Sequence, residues 1–182
     1  MKRGIVVTLA VSMCLLTGCS NALKSGTISL EEGNYTEAVS SFEKAVSEGK
    51  KTAEAYRGLG MAYYEQEDYA SAKDAFEKAL SAGGEKNQVI YNLLGICGMK
   101  LEDYQYALEQ FTQGISLSQN SGTSMEDAES FSEVLQEMLF NQIVCYEKLS
   151  DWENAKSKIA EYIQVYPDDA DAQREAIFLQ SR

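Results

Sequence analysis

The sequence predicts an all-α chain built from repeated helix pairs, and three observations carry that prediction. First, one pattern of side chains recurs. Tyr35, Ala38, Phe42 and Ala45 are followed by Tyr69, Ala72, Phe76 and Ala79, then by Tyr104, Ala107, Phe111 and Gly114. The tyrosines stand 34 and 35 residues apart. Steps of three and four residues put each set on one helical face, where alanine lets a neighbouring helix approach and phenylalanine fills the space beside it. Second, the segments ahead of the second and third sets also read as helices. Third, the chain has one proline, Pro167, and no run with the alternation of a strand.

The N-terminus is different in kind. Lys2 and Arg3 precede an uncharged, almost wholly apolar run from Ile5 to Leu16. That run is too short to span a bilayer, which takes about 20 residues. Basic, then apolar, then small residues is the layout of a secretory signal peptide. Leu16-Thr17-Gly18-Cys19 also resembles the bacterial lipobox. That resemblance implies cleavage after residue 18 and a thioether-linked diacylglycerol on Cys19. Two acyl chains anchor stably where one does not. The competing reading is an ordinary signal peptide with a chance cysteine.

Removing 1–18 leaves 14 basic against 28 acidic residues, a net charge of −14. Such a surface disfavours nucleic acid, whose binding needs a basic face. It is also repelled by anionic lipid, so an attached lipid would do the anchoring.

The helices follow in order. The first pair opens with a leading helix that offers only Leu23, Gly26 and Leu30. In the second leading helix, AYRGLGMAYYEQ puts Tyr56, Leu59, Gly60 and Tyr63 on one face. In the third, IYNLLGICGMKL repeats Tyr91, Leu94 and Gly95, with Gly98 where tyrosine is expected. A fourth, weaker unit has Tyr146, then Trp152, Ala155, Ile159 and Tyr162, and ends at Pro167. This pattern and its period resemble the tetratricopeptide repeat. The resemblance implies a right-handed α-solenoid of antiparallel helix pairs. Its repeats would cover approximately 19–52, 53–87, 88–121 and 136–169, with a capping helix over 170–182.

Tyr104 and Trp152 are 48 residues apart, about 14 more than one repeat. The excess lies in Ser116 to Leu135, an insertion over approximately 119–135. Gln119 to Ser124 reads as a loop by composition. Ser124, Glu126 and Asp127 then read as the start of a helix running from about Met125 to Leu149. The insertion is either a tolerated excursion or a binding loop.

Catalysis finds little support. There is no histidine, which removes the commonest general base and metal ligand. Of four cysteines, Cys14 leaves with the signal and Cys19 takes the lipid. Cys97 and Cys145 fall at one repeated slot, aligned with Ala62 and Ile28, and read as small buried core groups rather than nucleophiles. Asp168, Asp169 and Asp171 lack the glycine and distal glutamate of a calcium loop and read as a helix start. No cofactor and no metal is expected, and no catalytic residues.

The resemblance implies that the leading helices line a groove that grips partner peptides or helices. The matching positions are Arg57, Met61 and Tyr64, then Asn92, Ile96 and Met99, then Phe140 and Val144. Met61, Ile96 and Val144 share one slot and would make an apolar stripe. No paired Lys and Asn cluster for a C-terminal carboxylate is present. The expected function is a lipid-anchored scaffold or adaptor for protein or peptide partners in a bacterial envelope, on the extracytoplasmic face of the membrane. The alternative is a receptor that captures a peptide or glycan ligand for a transporter or envelope enzyme.

Overall fold

The computed structural model describes residues 19–49, 51–120 and 128–182. The signal segment, the side chain of Cys19, and Ser124, Glu126 and Asp127 lie outside them. Every described element is helical: α1 (Cys19–Glu31), α2 (Tyr35–Ser47), α3 (Thr52–Glu65), α4 (Tyr69–Ser81), α5 (Gln88–Lys100), α6 (Tyr104–Asn120), α7 (Ala128–Lys148), α8 (Trp152–Val165) and α9 (Ala170–Gln180). Each helix packs on the next in sequence, which is the arrangement of a solenoid. None of the described helices is long and apolar enough to cross a membrane.

The repeated slots do the packing work expected of them. Ala38, Ala72, Ala107 and Ala155 are 0% exposed. Phe42, Phe76 and Phe111 are buried and lie against Gly26, Gly60 and Gly95, where a Cβ would collide with the ring. Glycine is therefore required at those places by close approach. Each leading helix can press its backbone onto the aromatic ring of its own partner helix.

Within each pair the helices join through the same three-residue turn. Gly33, Glu67, Glu102 and Ser150 occupy its centre with φ of 75°, 60°, 61° and 59°. The next residue donates its N–H back into the helix, from Asn34 to Ser29, Asp68 to Tyr63, Asp103 to Gly98 and Asp151 to Tyr146. This is the Schellman closure. Asp68, Asp103 and Asp151 then cap the following helix through a side-chain oxygen, accepting from the N–H of Ser71, Tyr106 and Asn154. Asn34 closes its turn but makes no side-chain cap.

The insertion differs from its expected form. α6 runs on to Asn120 and has 17 residues, and α7 has 21, against 13 or 14 in the other paired helices. Gln119 and Asn120 are thus helical, not loop. Much of the excess lengthens the two helices, whose backbone groups satisfy one another within the helix, as those of a long loop do not.

A second correction concerns Ile28. Its counterparts Ala62, Cys97 and Cys145 are 0% exposed, whereas Ile28 is 43% exposed. The slot is covered by the trailing helix of the preceding repeat, and among the described residues no such helix precedes α1. At the other end, Asp169 caps α9 by accepting from the N–H of Asp171 and Ala172. The bond from Ala172, together with one donated by the Tyr162 hydroxyl, holds its carboxyl below the usual carboxylate range. The outer face of α9 is less polar than a solubilising cap would be, since Ile177 and Phe178 remain exposed.

Inside the array one junction is looser than its counterparts, and only the docking of the last helix, α9 on α8, is comparably light. α1 packs on α3 and α5 on α7, but α3 and α5 hardly touch. α4 also packs on α5 more lightly than α2 on α3 or α6 on α7. The connection here, Ala82 to Asn87, contains Gly83 in a left-handed conformation (φ 84°).

Candidate functional site

The leading helices α1, α3, α5 and α7 form the inner row: α1 packs on α3 and α5 on α7, whereas no two trailing helices pack on each other to that extent. At the loose junction the row opens into a cavity of about 560 Å³. Its apolar wall comes from Leu23 and Leu30 of α1, Met61 of α3, and Val89 and Leu93 of α5. Arg57 and Glu54 stand in the same wall. Glu54 lies 3.8 Å from Lys51, and no described carboxylate is within ion-pair reach of Arg57.

The expected groove residues do not form one continuous stripe. Arg57 and Met61 line the cavity. Tyr64 and Asn92 belong to a second group further along. Asn92 is only 6% exposed, and its Nδ2 donates to Glu137 Oε2 at 2.7 Å. Tyr64 packs edge-on against Tyr69, with centroids 5.7 Å apart. Burial raises its phenol above the ordinary value, and Cys97, Tyr69 and Glu137 add to the effect. Glu137 is therefore close enough for its charge to be felt at α3. Ile96 and Met99 are half-buried against the core around Phe111 and Cys145. Phe140 packs edge-on against Tyr162 at 5.6 Å. Val144 is half-buried.

Several site residues were missed in the sequence. Thr27, Val89 and Leu93 line the cavity, and Glu137 anchors the second group. The signal was available: counting back from Phe140, Glu137 occupies the place that Glu54 and Val89 hold in the preceding repeats.

The two internal cysteines are free and 0% exposed. Burial pushes both thiols up to about 12, so neither is a thiolate at neutral pH. No cluster of three or more metal-ligating side chains occurs among the described residues.

Glu147, at the C-terminal end of α7, is the one carboxyl strongly displaced among the described residues. Burial, then repulsion from Glu175 and a hydrogen bond with it, lift Glu147 from 4.5 to about 7, against the opposing charge of Lys148. Its Oε1 is buried without a partner. An acid whose value is raised in the fold binds its proton more tightly there than when unfolded. Its contribution to stability is thus present below about pH 4.5 and is lost as pH rises through about 7. Glu147→Gln should raise the melting temperature at pH 8 and change it little at pH 5. Solvent screening limits the gain to about 1 kcal/mol. Calorimetry across that range checks this; equal shifts at both pH values would refute it.

Models described as tetratricopeptide repeat match residues 23–87 and 62–120, and a further one matches 137–169. A search of curated proteins finds no match. Among solved structures, the chain is similar to YrrB, whose structure is described as a TPR protein with an unusual peptide-binding site. The identity is 26% and the TM-score 0.71, covering 88% of this chain and 75% of that one. It is similar in fold to MamA, at 13% identity and TM-score 0.72 over 90% and 81% of the two chains. It is also similar in fold to a tetratricopeptide repeat protein from Parabacteroides merdae, at 16% identity and TM-score 0.65, covering 90% of this chain and 58% of that one.

Proposed function

Because the chain belongs to the tetratricopeptide repeat family, we propose that it binds protein or peptide partners in its inner groove. On this reading it works from a lipid anchor at Cys19, on the extracytoplasmic face of a bacterial membrane. The observation that carries the binding role is the apolar cavity at the loose junction, open along the inner row and walled by side chains from three leading helices. Concave apolar surfaces with a few polar groups are where ligands bury most area. The peptide-binding site of the YrrB relative supports the same use of the fold.

The anchor rests on Lys2 and Arg3, the apolar run to Leu16, and the motif that ends at Cys19. Ala22 is already buried against α2 and α3 residues Ala45 and Ala55. A lipid on Cys19 would therefore hold the solenoid close to the bilayer, with the cavity near its tethered end.

Two variants test the two halves of the proposal. Cys19→Ser should move the protein from membrane to soluble fractions and abolish labelling by a fatty-acid analogue. A protein that stays membrane-bound and labelled would overturn the anchor. Val89 is 44% exposed, so Val89→Glu should leave the fold intact. It should weaken binding to a library of random capped peptides about 10-fold, by putting a charge in an apolar contact. Unchanged binding by a folded Val89→Glu protein would move the site away from the cavity.

A further inference from the structure

Beyond the cavity, the middle of the inner row carries an electrostatic arrangement with no counterpart inside the protein. Glu137 is exposed on α7, yet no described lysine or arginine is within ion-pair distance of it. Its carboxylate is held from α5 by the Nδ2 of Asn92, at 2.7 Å. That bond also settles which way the amide faces, because an oxygen turned toward the carboxylate would be repelled. The other amide atom, Asn92 Oδ1, is buried and has no donor. Asn92 as a whole is 6% exposed. A buried acceptor without a donor costs free energy, about 1–3 kcal/mol. Glu133, one helical turn before Glu137, adds a second exposed carboxylate on the same stretch of α7.

The group thus presents the exposed Glu137 carboxylate to the groove, with Asn92 buried beneath it. The chain around it is strongly acidic, with a net charge of −12. A carboxylate already oriented by a buried amide loses little freedom on receiving a cation, so the contact is preorganised. Charge-assisted bonds of this kind are about twice as strong as neutral ones. Asn92 is flanked on α5 by Leu93, which lines the apolar cavity. The cavity and the carboxylate are thus joined through consecutive residues of α5, Leu93 in the cavity wall and Asn92 on the carboxylate. In the cavity wall Glu54 stands beside Arg57, so the wall itself brings no net charge against a basic segment.

We propose that Glu137, positioned by Asn92, forms the subsite that selects the partner, its carboxylate accepting from the guanidinium or ammonium group of an arginine or lysine next to an apolar anchor residue. This rests on the groove being the peptide site. The ligand class is a basic, amphipathic peptide segment, and acidic segments are rejected by the same carboxylates.

The test uses the mature chain and capped random hexapeptide pools. One pool has Lys or Arg fixed at a central position, one has Asp or Glu there, and one has Gln. The parent should prefer the basic pool over the acidic one by about 10-fold or more at moderate salt, the size expected of one charge-assisted contact. Glu137→Gln keeps an acceptor for the Asn92 amide and should retain the fold, checked by circular dichroism. It should bring the basic and neutral pools level. Glu137→Lys should reverse the preference toward the acidic pool. A basic preference that survives both substitutions, or a parent that prefers acidic peptides, overturns the subsite alone. Failure of every pool to bind the parent overturns the subsite and the groove reading together.

Discussion

Ala107→Glu should lose roughly 4 kcal/mol of stability, because a carboxylate would be forced into a helix contact that leaves alanine no exposed surface. Ala72→Glu should behave alike, since Ala72 fills the same slot one repeat earlier and is equally buried. For a chain of this length the loss corresponds to a fall in melting temperature of about 10 °C. Ala70 lies on the same helix as Ala72 but is exposed, so Ala70→Glu should melt within a degree or two of the parent. Thermal unfolding followed by circular dichroism reads all three. A protein in which the three variants melt together would have its small slots on the surface, and the packing of its repeats would have to be redrawn.

The second large effect is expected at Phe111. Its ring is 0% exposed and lies on the backbone of α5 at Gly95. Phe111→Ala removes that buried ring and leaves a cavity between α5, α6 and α7, costing about 3–5 kcal/mol. Gly95→Ala puts a methyl group where the ring now stands and is destabilising for the opposite reason, overpacking by about 1–3 kcal/mol. The two changes should be strongly coupled. Once the ring has gone, the methyl group has room, so the double variant should be less damaged than the sum of the singles. Simple additivity in denaturant titrations would mean that the ring and the glycine do not define each other's space.

Much of this architecture is legible in the residue pattern, and the reason is physical. A solenoid repeats one local packing problem, so the answer appears several times in the chain. The alanine slots, the phenylalanines facing glycines, and the terminal aspartate cap of α9 all follow from spacing and side-chain size. What was less legible depends on context that spacing does not carry. Glu67, Glu102 and Ser150 take a left-handed conformation that ordinary residues enter only at a cost. They do so because the aspartate that follows closes one helix and caps the next. Ile28 occupies a core slot by alignment but is exposed, because burial there is supplied by a neighbouring repeat. Glu137 escaped attention because the insertion interrupts the period just before it. Of the expected groove set, Asn92 proved to be a positioning group for that carboxylate. Ile96, Met99 and Phe140 serve the core as much as the groove.

The light packing between α4 and α5 has a thermodynamic consequence. In a linear array of repeats, cooperativity is transmitted only through nearest-neighbour interfaces, so the weakest interface decides whether the array melts as one unit or two. Here a light interface separates α1–α4 from α5–α9, whereas the other light one, between α8 and α9, can release only the last helix. The cavity straddles the first, with walls from both sides. A bound segment would add coupling energy at the place where the array has least. Ligand occupancy would therefore sharpen the melting transition as well as raise it. The width of the transition becomes a reporter of binding in its own right.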